Sequence, residues 1–327
     1  LRNFEQNETV LDGLFYHTVA FINAEWNGFH IKNGLNACYL PASSLLKKCI
    51  ISNCAENGVT NNDYYAVIDS CTIVDNNGNG IAMRYANITN SKVARNGQAG
   101  ISLLRGIVHN CSVSQNGGNG IYIYDYVAVI SNSLIVNNDQ SGVVLYDGGT
   151  ILNSTIANNQ GNGVGIRFSS RFRNSIISGN GGVSICNIDG WANNHEIVNC
   201  AIEGDYQLSS NNNILLSSTD NLSDIQPGFV SPTPGCGKAY GEGDYHLLPN
   251  SVCVNRGKIC YNNVNPDFWI LITEANDILH TIDSFPATDL DGNVRVQQGI
   301  PDIGAYESNY TQAMTNYFIH PDTNNIL

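Results

Sequence analysis

Asn110-Cys111-Ser112-Val113-Ser114-Gln115-Asn116-Gly117-Gly118-Asn119-Gly120-Ile121-Tyr122-Ile123 returns, 22 residues on, as Asn132-Ser133-Leu134-Ile135-Val136-Asn137-Asn138 and Gly142-Val143-Val144-Leu145. Each copy holds two short apolar runs separated by an Asn-Gly turn. Working outward from the first run, the same apolar anchor stands at Ile51, Ile73, Val93, Val113, Ile135, Ile156 and Ile177, in steps of 22, 20, 20, 22, 21 and 21 residues. A period near twenty is the signature of a solenoid.

The columns around the anchor repeat as well. Two residues before it come Cys49, Cys71, Ser91, Cys111, Ser133, Ser154 and Ser175, and three before come Lys48, Ser70, Asn90, Asn110, Asn132, Asn153 and Asn174. Three after it, from the second copy on, come Asn76, Asn96, Asn116, Asn138, Asn159 and Asn180. A second run starts eight after, at Val59, Ile81, Ile101, Ile121, Val143, Val164 and Ile185; Asn199, Cys200 and Ile202 mark a weaker eighth copy. Alternation within each run, as in Ile121-Tyr122-Ile123, sends every second side chain inward. If successive coils stack ~4.8 Å apart, equal positions lie over one another and the Ile/Val column becomes a continuous apolar ladder. Asn stacked at a bend tolerates left-handed backbone and can bond the amides of neighbouring coils.

This pattern predicts an all-β fold: a right-handed, single-stranded parallel β-helix of eight or more 20–22-residue coils, closed by a non-repeating C-terminal cap. The expected division is residues 1–215 for the helix and 216–327 for the cap. Leucine-rich repeats share the period but need a Leu consensus that is missing, a left-handed helix needs hexapeptides, and a propeller needs longer blades.

The same register explains cysteines that would otherwise suggest a disulfide framework. Cys49, Cys71, Cys111 and Cys200 take an inward position that Ser fills elsewhere, so each is read as a small buried free thiol. A Cys49–Cys71 bridge between stacked coils stays within geometric reach, and a bridge among Cys236, Cys253 and Cys260 stays open. Charged residues are 13 % of the chain, 28 acidic against 15 basic, a net charge of −13 that repels phosphate backbones and excludes nucleic acid as a partner. No apolar run reaches bilayer length. The opening residues carry no export signal, which is read as removed or never included.

The Asn-rich, Gly-punctuated coils over roughly residues 12–205 resemble the pectate-lyase-like β-helix superfamily, with Val10-Leu11-Asp12-Gly13 similar to its usual opening. Downstream, Gly243-Asp244-Tyr245-His246-Leu247-Leu248-Pro249-Asn250-Ser251 and Asn255-Arg256-Gly257 are followed by Asp289-Leu290-Asp291-Gly292-Asn293-Val294-Arg295 and Pro301-Asp302-Ile303-Gly304-Ala305-Tyr306-Glu307. Together these resemble the choice-of-anchor Q domain of bacterial surface proteins, although Val252-Cys253-Val254 departs from its pattern. The resemblance implies export to the bacterial surface or the medium. Asp302, Arg295 and Glu307 are read as a structural salt-bridge and turn set. A cap is expected to cover the open end of the solenoid with a polar outside.

Chemistry is sought where the second run turns outward. Asp63, Tyr85, Arg105, Asp125, Asp147, Phe168 and Asp189 form one expected stripe, beside Asn62, Arg84, Leu104, Tyr124, Tyr146, Arg167 and Ile188. By resemblance, such a face binds polysaccharide. Carboxylates from Asp125 and Asp147 in successive coils would lie ~5 Å apart if the strand spacing carries through to them. That separation suits a glycosidase nucleophile and acid, oxygen ligands for Ca²⁺, or a shared hydrated surface. Tyr124 and Tyr146 offer faces to sugar rings, and Arg84, Arg105 and Arg167 offer paired donors to a uronate carboxylate. Asp125, Asp147 and Arg105 are therefore the catalytic candidates; Arg84, Tyr124, Tyr146, Arg167, Asp63 and Asp189 are the ligand candidates. A plain solvated face is the alternative for all of them.

No metal site is predicted from residue spacing, and no cofactor is expected unless Ca²⁺ binds. The polygalacturonase signatures (consecutive aspartates, Gly-His-Gly, Arg-Ile-Lys) and the pectate-lyase arginine motif are absent. Histidines 17, 30, 109, 195, 246, 280 and 320 show no metal spacing, and His195 closes a loop, Gly190-Trp191-Ala192-Asn193-Asn194-His195, that could overhang the face. The first functional expectation is a monomeric secreted or cell-surface bacterial protein that binds a polysaccharide or surface glycan, or mediates adhesion, without turnover. The second is a polysaccharide lyase or glycoside hydrolase acting on an acidic polysaccharide, and the third is a structural spacer.

Overall fold

A computed structural model describes residues 9–15, 17–21, 24–41, 44–61, 65–125, 128–188, 195–204, 206–207, 214–216, 221–223, 225–257, 287–296 and 300–308. The anchors stack as the period requires. Ile51, Ile73, Val93, Val113, Ile135, Ile156, Ile177 and Ile202 pair in register through an 11-stranded all-parallel sheet. All eight are fully buried, each contributing roughly 1.5–3 kcal/mol. This sheet is the first face. The second-run strands, such as Ile121–Ile123, Val143–Leu145 and Val164–Ile166, make the second face. A third is built from Ala128–Ser131, Gly149–Leu152, Ser170–Arg173 and His195–Val198. In two coils the second and third faces run together as single strands, Ile81–Thr89 and Ile101–His109. The chain is thus a right-handed parallel β-helix whose interior is lined by Ile, Val, Leu and Cys. No helix among the described residues is long and apolar enough to cross a membrane.

At the turns, the two jobs expected of one asparagine are divided between columns. Left-handed backbone is taken three before the anchor, at Lys48, Ser70, Asn90, Asn110, Asn132, Asn153, Asn174 and Asn199, and again two after it, at Asn53, Asp75, Arg95, Gln115, Asn137 and Asn158. The neighbouring column, three after the anchor, bonds instead. Asn76, Asn96, Asn116, Asn138 and Asn159 each donate Nδ2–H to the next Oδ1 at 2.8–3.0 Å, ending on Asn180. Each of those oxygens also accepts the backbone N–H of the preceding coil. Glycine is required beside this ladder: a Cβ on Gly120 would stand 2.6 Å from the Gly142 carbonyl and 2.7 Å from the Asn138 amide.

The Ser/Cys column needs more than small size. The hydroxyls of Ser91, Ser133, Ser154 and Ser175 accept the amides of Cys71, Cys111, Ser133 and Ser154 at 3.0–3.2 Å, while Cys71 Sγ accepts the Cys49 amide at 3.4 Å. Cysteine serves here as a weaker serine. The nine described cysteines are all free thiols, including Cys49 and Cys71, and Cys260 lies outside the described residues. Burial pushes the Cys111 and Cys200 thiols up to about 12.

Among the described residues, the C-terminal segment packs along the side of the solenoid. Phe229, Tyr245, Leu247, Cys253, Val254 and Ile303 form one apolar cluster with Leu134, Val136, Ala157, Ile176 and Ala201, which point outward from the first face. The departure Val252-Cys253-Val254 is thereby explained, since Cys253 and Val254 enter this cluster. Left-handed asparagines on both edges of the face act as hooks. Asn132 accepts from Arg295, Asn137 accepts from Thr233 Oγ1 at 2.8 Å, Asn158 donates to the Thr233 carbonyl at 2.7 Å, and Asn199 donates to the Arg256 carbonyl at 3.1 Å. Arg295, fully buried, pairs with Glu307 at 3.0 Å, and Glu307 in turn accepts the Asp302 amide. This is the structural set expected of Asp302, Arg295 and Glu307. The first face itself continues to Leu222–Ser223, beyond residue 215.

Candidate functional site

With the first face covered from Leu134 onward, the second face is where the candidate side chains gather. Its outward rows follow from strand alternation: Ala82, Ser102, Tyr122 and Val144 along the middle, then Arg84, Leu104, Tyr124, Tyr146, Arg167 and Ile188 at the turn. Register at the turn is kept by backbone bonds, Tyr124 N to Leu103 O at 3.0 Å, Tyr146 N to Ile123 O at 2.9 Å and Ile188 N to Ile166 O at 2.8 Å. Tyr124, Phe168 and Ile188 remain exposed, as does Arg84.

The tyrosines stack on one another. Tyr124 and Tyr146 have ring centroids 4.6 Å apart at 30°, and the Arg167 guanidinium lies 4.4 Å above the Tyr146 ring. Rings lying side by side in one plane cannot come that close, so these ring faces look along the helix axis and their edges look outward. Tyr146 has both faces occupied and offers a sugar only its edge and hydroxyl. Tyr124 keeps one face, on the side away from Tyr146. Tyr122, which alternation alone places outward, adds its ring 5.6 Å from Tyr124. Burial, with Tyr124, Tyr146 and Asp147 nearby, pushes its phenol up and keeps it a donor.

Arg105 and Asp125 are joined to each other, Nε to Oδ2 at 2.5 Å, with Asp125 the more buried partner. The pair engages Arg105 through its Nε–H and one oxygen of Asp125. Asp147 follows Asp125 in register and is half-buried. Tyr85 pairs with Tyr65, rings 5.2 Å apart, so Tyr65 precedes it in the column expected to hold Asp63. Asp63 and Asp189 lie outside the described residues. Residues 190–194 of the loop expected to overhang the face lie outside the described residues; His195, which follows them, is a buried residue of a third-face strand, its Nδ1 accepting the Ser170 amide at 3.2 Å, and burial lowers its pKa.

This face holds an open depression of about 360 Å³. Arg84 and Tyr124 wall it, Leu103 and Leu104 lie between them, Ala82 and Ser102 extend it across the face, and Asn61 lines it from the coil before Arg84. It exists because Leu104 is the short residue between two long ones in the same column. Asn61 Oδ1 holds the Arg84 amide at 2.8 Å, fixing the backbone beneath the guanidinium. Among the described residues no group of three His, Cys, Asp or Glu side chains is placed to hold a metal ion.

Fold and face together define a right-handed parallel β-helix with an aromatic and cationic open side. The family model described as "right handed beta helix region" matches residues 27–171. Among solved structures, the chain is similar to the pectate lyase Pel9A, with a TM-score of 0.55 and 16 % identity over 93 % of this chain and 86 % of that one. It is also similar to a periplasmic alginate epimerase, TM-score 0.46 and 16 % identity, over 55 % of this chain. The match spans only 49 % of that epimerase. A third similarity, at TM-score 0.36 and 16 % identity, is to the A-module of a mannuronan C-5 epimerase of Azotobacter vinelandii, over 62 % of this chain and 68 % of that one. No curated protein matches the sequence.

Proposed function

We propose that this is an exported bacterial β-helix protein that binds an acidic glycan on its second face without turning it over. The depression between Arg84 and Tyr124 carries this reading: an aromatic face, a cation and an apolar floor converge there, the combination that holds a sugar ring bearing a carboxylate. Surface attachment or secretion is supported by the resemblance of residues 243–257 and 289–307 to a bacterial surface-anchor segment. Because its fold neighbour is a pectate lyase, polygalacturonate is the first ligand to test.

Binding is favoured over catalysis because the residues lining the depression bring an aromatic ring and a cation together without a carboxylate among them. Calorimetric titration with polygalacturonate should show binding that falls at least tenfold in Arg84→Ala and in Tyr124→Ala and survives in Asp125→Ala. No binding by the wild type to polygalacturonate or alginate would overturn the reading and leave the spacer role. The register of Asp147 with Asp125 supports a second reading, a lyase or hydrolase. Release of unsaturated uronate or reducing ends, abolished by Asp147→Ala, would establish it.

A further inference from the structure

Resting on that reading, we infer that the glycan crosses the β-helix instead of running along it, and that the site recognises one or two sugar residues, a chain end or a branch. Arg84 and Tyr124 flank Leu104 one coil to either side, so the walls are two coil spacings, ~10 Å, apart. A single ring layer between them needs two van der Waals contacts of about 3.5–4.0 Å, which fits; two layers need three contacts, which does not. The inserted ring lies in the Leu104 layer with its faces along the axis, stacked on Tyr124 as Tyr146 is stacked on the other side.

Toward the C-terminal coils, further sites along the axis are closed. The next two layers are filled by Tyr146 and by the Arg167 guanidinium upon it. The way out of the depression is sideways, over the small residues Ala82 and Ser102 that line it, with Tyr122 beyond Ser102 in the same row. A second sugar residue has room there. A long chain laid along the helix toward its C-terminal coils would meet ring edges in place of ring faces.

The test is affinity against chain length, using galacturonate oligomers of one to six residues, together with Leu104→Tyr. That substitution is at a half-buried outward position and would extend the tyrosine ladder into the empty layer. Affinity should stop rising at the disaccharide, and Leu104→Tyr should weaken monomer and hexamer alike by at least tenfold with an unchanged thermal midpoint. Affinity that climbs steadily to the hexamer, or that Leu104→Tyr leaves intact or improves, would overturn the transverse placement while glycan binding stands. Absence of binding at every length would remove the underlying reading itself. Should Leu104→Tyr unfold, the length series on the wild type still decides.

Discussion

Replacing Asn138 by Ala tests the idea that the buried amide ladder, as well as the Ile/Val column, holds coil upon coil. The Asn138 side chain is fully buried. Its Oδ1 accepts from Asn116 N at 3.1 Å and Asn116 Nδ2 at 2.9 Å, and its Nδ2 donates to Asn159 Oδ1 at 2.8 Å and to the carbonyls of Val136 and Val113 at 3.2 and 3.3 Å. Several of these groups keep another bond after truncation: Asn116 Nδ2 retains the Val93 carbonyl, and Asn159 Oδ1 retains the Asn138 amide. The Asn116 backbone N–H loses its acceptor inside the protein. A buried orphan donor costs about 1–3 kcal/mol, and the remaining net hydrogen bonding about 1 more. The expected loss is therefore about 2–4 kcal/mol. Asn119→Ala is the matched control, since Asn119 is half-buried and accepts one bond, from Ser141 N at 3.1 Å; its loss should be about 1 kcal/mol. Urea unfolding followed by circular dichroism would read the difference from midpoints at constant slope. Equal costs for the two variants would refute the ladder as a source of stability and leave apolar stacking to account for it.

Three further outcomes follow from the packing. Cys71→Ser should match or exceed the wild type in stability, because Ser accepts the same amide elsewhere at 3.0–3.2 Å, whereas Cys71→Ala should cost about 1–3 kcal/mol by orphaning the Cys49 amide; denaturation midpoints decide. Leu134→Asp, in the cluster with Phe229 and Tyr245, should release the C-terminal segment to protease while the solenoid keeps its circular dichroism, and simultaneous loss of both would argue against side-on docking. His246 bridges Asp244 at 2.5 Å and Asp291 at 2.6 Å and stacks on Tyr306. Burial depresses its imidazole, but the two carboxylates outweigh that and set its pKa above the ordinary 6.5. A raised folded value means stabilisation that is complete below 6.5 and fades as pH rises through the raised value. Hydrogen-exchange protection of Asp244–Leu247 should accordingly be higher at pH 6 than at pH 8.5, and His246→Ala should flatten the difference.

Legibility varied with how local the cause was. Ile73, Val93 and Val113 announce the fold because each coil repeats the same inward demand, so the sequence states one rule many times over. The side-on segment was less plain, although a trace of it stands in the chain. Thr72-Ile73-Val74 and Lys92-Val93-Ala94 put a polar residue at the outward position before the anchor, whereas Leu134-Ile135-Val136 is apolar on both sides, as a doubly covered strand must be. What covers it was not readable, because Asn132 meets Arg295 across 163 positions. At the second face, register placed Arg105 beside Asp125 and Tyr124 beside Tyr146. Only side-chain rotamers could decide that the first two neutralise each other and that the rings face along the axis.

By itself, then, the sequence determined the period, the handed parallel coil and the columns of Ile, Asn and Ser or Cys, because a solenoid's contacts join residues at one fixed separation. The tertiary structure decided which outer face is covered, which charges are paired and where one short residue, Leu104, leaves room between Arg84 and Tyr124. Those outcomes depend on contacts that no fixed spacing encodes.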